Sequence, residues 1–245
     1  MGALIYARYE LLRTFRNRRL FVLSLAFPLA LYYLTAGPNR DVHNLGGSHI
    51  SAPLYFMVGL ASFGTMSAMM SCGVRIANER AVGWNRQLRI TPLSPRAYFR
   101  TKVLTAYMLA LVSLGALYAA GASLGVELAT GEWVRMTGLV LVALVPFAAL
   151  GIALGHALTP DSIGPAVGGG VALLAFLGGT WFPIPDHGFL HAVAQYLPSY
   201  WLVQASHVAL GGRAWPATAW VVIVAWTAAL TALAVRAYRR DTGRA

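Results

Sequence analysis

With 245 residues, 58% of them hydrophobic and only 11% charged, the chain is far from the composition of a soluble domain. Several apolar runs exceed the roughly 18 residues that suffice to cross a bilayer, so the formal net charge of +11, which in a soluble protein would suggest nucleic acid, has to be located before it is interpreted. The one cysteine, Cys72, lies inside an apolar run and leaves no disulfide or cysteine metal site to expect.

Residues 3–17 open the chain with an amphipathic pattern. At 100° per residue, Leu4, Ile5, Leu11, Leu12 and Phe15 share one arc, and Tyr9, Glu10, Arg13, Thr14, Arg16 and Asn17 fill the other, with Arg8 the one intruder. This predicts an interfacial helix on the inner leaflet, its arginines suited to an anionic surface; a short soluble helix packed on the next element is the plainer alternative. The apolar run that follows has five arginines before it and no A-x-A site after it, so a cleaved signal is not expected. This first span covers about 20–36, with a kink at Pro28, and a polar connector of Gly, Pro, Asn and His fills 37–51. The second span, about 52–74, is rich in Gly, Ser and Met, and its small residues let helices approach closely.

The stretch 78–102, NERAVGWNRQLRITPLSPRAYFRTK, holds six of the nineteen basic residues against one acid. Glu79, Arg80, Trp84, Arg86, Leu88 and Arg89 make a charged and aromatic segment, Thr91-Pro92 breaks it, and Ser94-Pro95 sets off a new helix. The side chains are spread around a helical wheel rather than gathered in one stripe. A short helix that is polar over most of its surface, next to a membrane, usually docks on a protein partner. A solvated loop whose arginines only fix topology would carry the same charge.

The third span covers about 101–126, with Gly115, Gly121 and Gly125 as a small-residue face. Glu127, Glu132 and Arg135 mark a short loop before the fourth span, about 136–157, which Pro146 interrupts. A tight connector at 158–164 leads to the fifth, about 165–182, where Gly168-Gly169-Gly170 and Gly178-Gly179 are expected at close helix contacts. Pro183 and Pro185 end it. Residues 183–215 are semi-apolar, and neither half, on each side of Pro198, is long enough to cross. Both halves are expected to be re-entrant or interfacial, with Tyr196, Tyr200 and Trp201 at headgroup level. His187 and His191, with Asp186 and His207 nearby, fall short of the three or four supported ligands of a metal site; polar tips on an interfacial helix account for them. The sixth span, about 217–236, ends in Arg239, Arg240 and Arg244.

The basic residues decide orientation. The N-terminal segment has five, residues 75–102 seven and the tail four, whereas the alternate loops hold only Arg40, Arg135 and Arg213. That asymmetry predicts cytoplasmic termini and makes the +11 charge a matter of membrane topology, with no nucleic-acid partner. No repeat or low-complexity linker divides the chain, so 1–245 reads as one all-α integral membrane domain of six spans.

Glu79-Arg80, Gly83, the basic residues after it, Leu88, the run Thr91-Pro92-Leu93-Ser94-Pro95, Tyr98 and Lys102 resemble the cytoplasmic loop of ABC-2 type transporter permeases, in particular the daunorubicin and multidrug-resistance branch. The order of the spans agrees over nearly the whole chain. The resemblance implies six transmembrane helices with an N-terminal interfacial helix, a cytoplasmic coupling helix seated in a cleft of a separate ATPase subunit, and extracellular re-entrant helices between spans five and six. It implies ATPase-coupling roles for Glu79, Arg80, Gly83, Trp84, Arg86, Leu88, Arg89, Thr91 and Pro92. Glu79 and Arg80 would make polar contacts at the membrane end of the segment, Gly83 would permit close approach, and Trp84 and Leu88 would anchor. Tyr196, Pro198, Tyr200 and Trp201 would belong to the extracellular re-entrant region.

No G-x-x-x-x-G-K-[ST] phosphate loop occurs, and none of the eight acids lies mid-span, where a proton relay would need one. The chain is therefore not expected to be an enzyme or to hold a cofactor; ATP and Mg would be bound by the partner ATPase. A second permease copy, identical or related, would complete the assembly in the bacterial cell membrane. A path lined by aromatic, Met and small residues suits a hydrophobic or amphipathic drug, antibiotic or lipid-like cargo, with export as the direction the resemblance implies. Export of a lipid-linked glycan, a non-transporting membrane anchor for an ATPase, and a membrane enzyme using His187, His191 and His207 are the other readings.

Overall fold

A computed structural model describes residues 2–17, 22–43, 50–84, 87, 90–91, 93–182, 184–185, 187–207 and 215–242. Among these, every regular element is helical. Helix α1 spans Gly2–Phe15, and a π-helical turn, Val22–Ala26, runs directly into α2, Phe27–Ala36. The change of winding falls immediately before Pro28, whose missing N–H and ring cannot continue an α-helical ladder from the preceding turn. Residues 20 and 21 of the first expected span lie outside the described residues.

The long helices follow. Helix α3 is Ala52–Ala81 and α4 is Pro95–Ser123, which Ser94 caps by accepting a hydrogen bond from the Ala97 N–H at 3.2 Å. Helices α5, Thr130–Ala143, and α6, Val145–Ala157, form one apolar rod broken at Leu144, where Pro146 enters the first turn of α6. Helix α7 spans Pro160–Leu177, starting earlier than 165 because the Thr159 N–H donates to Ser162 Oγ at 3.1 Å and Pro160 pre-sets the first turn. It stops at Gly178-Gly179, where Gly179 has φ +82°, before the prolines that the sequence offered as its end. Short helices α8, Phe189–Ala194, and α9, Pro198–His207, precede α10, Ala217–Thr242.

Five of these rods are long and apolar enough to cross a membrane: α3, α4, the α5–α6 pair, α7 and α10; Ser24–Ala36 is a shorter apolar helix. Helix α3 is the hub. It packs against α2, α4, α6 and α7, and 83% of its apolar window is buried, against 22% for α7 and for α10. The hub position follows from its small residues. A Cβ placed on Gly73 would sit 2.2 Å from the Gly151 carbonyl oxygen, and one on Gly155 would sit 2.7 Å from that of Gly73. Backbone therefore meets backbone where α3 crosses α6. Gly168, Gly169 and Gly170 in α7 behave otherwise, since a Cβ there would meet nothing within 4 Å; the close contact expected of them is not made within this chain.

At the other end of the bundle, α8 and α9 fold back onto the helices. Tyr55 OH donates to the Gly179 carbonyl at 2.9 Å, and Trp226 Nε1 donates to that of Tyr196 at 2.8 Å. Residues 198–203 are buried, and α9 packs on α3, α5, α7 and α10. Ser62, which reaches toward the Leu202 carbonyl at 3.5 Å, lies about 15 Å along α3 from its start.

The α3–α6 crossing gives a direct test by scanning fluorimetry in detergent. Gly73→Val should lower thermal stability by about 1–3 kcal/mol or prevent folding, whereas Gly168→Val should leave the midpoint within a degree or two. Equal behaviour of the two variants would contradict the packing.

Candidate functional site

Charged side chains collect where α3 ends, and helical spacing explains how. Tyr6, Glu10 and Thr14 are four apart on α1, Arg75 and Glu79 on α3, and Tyr98 and Lys102 on α4. Each set forms one ridge, and the three ridges face each other. Lys102 Nζ lies 2.6 Å from Glu10 Oε1 and 2.5 Å from Glu79 Oε1. Arg75 Nη1 reaches Glu10 Oε1 at 3.3 Å and also donates to Thr14 Oγ1. Tyr98 OH donates to Glu79 Oε2 at 3.0 Å, and Arg13 adds an ion pair to Glu79 from the exposed side at 3.1 Å. Glu79 is 1% exposed and Lys102 fully buried, with Glu10 and Arg75 buried beside them.

Two carboxylates and two cations thus share one buried pocket, their formal charges balanced. Buried ions are tolerated when paired and hydrogen-bonded, and they become costly once one member is lost. Burial first, and then the nearby Glu10 and Glu79 carboxylates, push the Tyr6 hydroxyl well above its ordinary range, so Tyr6 adds no charge to the group.

The next residue along α3 points elsewhere, because one residue is about 100° of turn. Arg80 donates to the carbonyl oxygens of Gly155 at 2.9 Å and Leu158 at 3.1 Å, capping the orphan acceptors at the end of α6. It also pairs with Asp241 of α10 at 2.7 Å, and Asp241 bonds His156 Nδ1 at 3.0 Å. Phe99, His156 and Tyr238 pack edge to face around this second cluster. Glu79 and Arg80 therefore tie the last turn of α3 to α1, α4, α6 and α10.

The other residues singled out in the sequence fall as follows. Gly83 has φ +72°, the left-handed conformation that lets the chain leave α3, and nothing would contact a Cβ there. Trp84 is partly exposed, and Thr91 is exposed. Arg86, Leu88, Arg89 and Pro92 lie outside the described residues. Pro198, Tyr200 and Trp201 are buried, Trp201 donating to the Gln195 carbonyl at 2.8 Å, while Tyr196 is exposed. His191 meets the Tyr200 ring edge-on at 5.9 Å, and no group of three His, Cys, Asp or Glu among the described residues could hold a metal. Asp186 and the His207 side chain are not among those described.

Sequence reasoning missed Glu10, Arg75, Tyr98, Lys102, His156 and Asp241 as members of connected clusters. One clue was available: the chain's single lysine and Glu79 flank a loop at positions that continue two apolar spans.

The fold defines a multi-pass helical membrane protein whose charge is concentrated at one end. Residues 39–236 match the family described as ABC-2 family transporter protein, and the chain belongs to that family. It is similar to the Bacillus subtilis (strain 168) protein named "Putative transport permease YvfS", at 29% identity over 198 residues that cover 78% of each chain. It is thus the membrane subunit of a transporter, and members of the family work in ABC transporters, generally with an ATPase partner.

The buried quartet gives its own test. Lys102→Met should destabilise the purified protein by about 3–5 kcal/mol, because two carboxylates then face only one buried guanidinium. Adding Glu10→Gln should recover part of that loss, a coupling of about 1 kcal/mol or more in a double-mutant cycle. Additive losses would show that the two groups do not share a pocket.

Proposed function

We propose that this chain is the permease of an ATP-driven exporter in the daunorubicin and multidrug-resistance branch, in which the segment from Gly83 to Pro92 couples a separate ATPase to the membrane helices. One observation carries the reading: the last turn of α3, immediately before that segment, is bound on two sides by the Glu79 and Arg80 clusters. A push on the segment would reach α1, α4, α6 and α10 through ion pairs too costly to break singly. Trp84 and Leu88 would supply apolar anchors in the ATPase cleft, with Arg86 and Arg89 pairing with carboxylates or lipid phosphates.

In this reading 1–245 is one six-span domain, with α2 and the turn before it as the first span and α1 on the cytoplasmic surface. The positive-inside asymmetry supports cytoplasmic termini. The exposed Ile5, Tyr9 and Leu12 of α1 support contact with the inner leaflet, while its Glu10 and Thr14 turn inward. Helices α8 and α9 would be re-entrant on the outer side. Two permeases and two ATPases make the assembly; ATP and Mg belong to the ATPases, and this chain does no catalysis of its own. The cargo is a hydrophobic or amphipathic drug, antibiotic or lipid-like molecule moved outward.

Co-expression with an ATPase encoded beside the chain, followed by capture and an ATPase assay in lipid, tests this. Wild type should capture the ATPase, and Trp84→Ala with Leu88→Ala should weaken capture about thirtyfold or more, the effect of roughly 2 kcal/mol at an interface anchor. Gly83→Trp should insert normally yet lose substrate-stimulated hydrolysis. Capture by all three proteins alike would remove the coupling role, and substrate-independent hydrolysis by wild type would favour a non-transporting anchor.

A further inference from the structure

Pro28 has no N–H, and the ladder bond it cannot make is the one to the Ser24 carbonyl, four residues back. That carbonyl accepts instead from Ser113 Oγ of α4, at 2.6 Å. Ser24 and Ser113 are both buried, and Ser113 lies eleven residues, about 16 Å, along α4 from Lys102. Water does not replace a bond at such a depth in a membrane, so a neighbouring hydroxyl is what makes the proline tolerable there. Gly64 of α3 completes the junction, since a Cβ on it would sit 2.5 Å from Ser113 Oγ and 3.1 Å from the Ser24 carbonyl oxygen.

The other half of α2 is held differently. Tyr33 OH and Ser123 Oγ are 3.0 Å apart on the exposed side. Ser123 Oγ already donates to the Ala120 carbonyl at 2.6 Å, so the tyrosine is the donor. Phe27, Tyr33 and Leu34 are exposed, which turns this side of α2 away from the bundle. Tyr32, on the inner side with Pro28 and Ala36, is fully buried, and its hydroxyl has no hydrogen-bond partner among the described residues. A buried hydroxyl without a partner is a cost to this arrangement of α2, and it disappears once the hydroxyl reaches another polar group. Residues 38–43 beyond the helix are exposed, and their bond to the bundle, from the Ala52 N–H to the Val42 carbonyl at 2.9 Å, lies at the far end of that turn. The first apolar helix is therefore pinned by a buried bond, clasped by an exposed one, and jointed between them at Pro28.

We propose that Phe27–Ala36 is a strap that swings outward about the Pro28 joint, releasing Tyr33 from Ser123 and freeing the Tyr32 hydroxyl, while Val22–Ala26 stays pinned to α4. Ser123 is the last residue of α4, where water takes over both hydroxyls of the exposed clasp at little cost. The buried Ser113–Ser24 bond has no such replacement, so the joint moves rather than the whole helix. The inference rests on α2 as the first span and is independent of any ATPase coupling.

Pulsed electron resonance on the full chain in lipid nanodiscs tests it, with Cys72→Ala as background and spin labels on Leu34→Cys and Val221→Cys. Both positions are exposed, near the ends of α2 and α10 away from the ionic clusters. Helix α2 packs on α3 and α4, and α10 on α6 and α9, so an outward swing lengthens the distance between the labels. Wild type should give two distances. Tyr33→Phe should raise the longer population about threefold, the lower end of what one net hydrogen bond carries. Tyr32→Phe, the same chemical change one residue away, should lower it by a similar factor, and Pro28→Ala should remove it by restoring the ladder. Labels on Val22→Cys and Val221→Cys should give one distance throughout. The proposal fails if wild type shows a single Leu34–Val221 distance, or if the longer one survives Pro28→Ala. It fails equally if the two tyrosine variants shift the populations in the same direction or not at all. A Val22–Val221 distance that spreads as widely as the Leu34 pair would move the whole helix and overturn the joint.

Discussion

The structure depends on keeping the buried quartet of Glu10, Arg75, Glu79 and Lys102 complete. Each ion is out of water, and its desolvation is offset by the others together with Thr14, Tyr98 and the half-exposed Arg13. The network therefore behaves as an all-or-none joint among α1, α3 and α4. Had the same residues stood in solvent, each pair would contribute little and the helices could slide independently. The interior location turns ordinary ion pairs into a constraint on how the helices move.

Close packing makes the second joint possible. Arg80 can reach the carbonyl ends of α6 only because α3 and α6 meet with backbone against backbone at Gly73, Gly151 and Gly155. A bulkier residue at that crossing would move α6 outward and leave the Gly155 and Leu158 carbonyls beyond the guanidinium. The small residues in the middle of the helices and the charges at their ends thus form one design. Glycine sets the distance, and Arg80 with Asp241 locks it.

The outer faces follow a different rule. Helix α1 turns Glu10 and Thr14 to the bundle and leaves Ile5, Tyr9 and Leu12 outside, the reverse of a helix on a water-soluble core and the arrangement expected when the surroundings are lipid. Helices α7 and α10 likewise leave most of their apolar windows unburied within this chain, as expected of rods in a multi-pass membrane protein.

The sequence by itself determined the helical class, the apolar rods and their broad order. Those properties are carried by runs, breakers and charge balance, all local in the chain. Ser94-Pro95 opened α4 and Pro146 broke the fourth rod where expected, since caps and prolines act on their own neighbours. Where a glycine pair rather than a proline ended α7, the local rules offered two stops and the first one prevailed. Only the tertiary structure decided that Glu79 and Arg80, adjacent in the loop motif, face opposite sides of α3 into separate ionic clusters. Their partners stand 19 to 161 residues away, and spacing along the chain says nothing about which ridges meet. Burial, which makes those pairs matter, is a property of the assembled bundle and has no signature in any single segment.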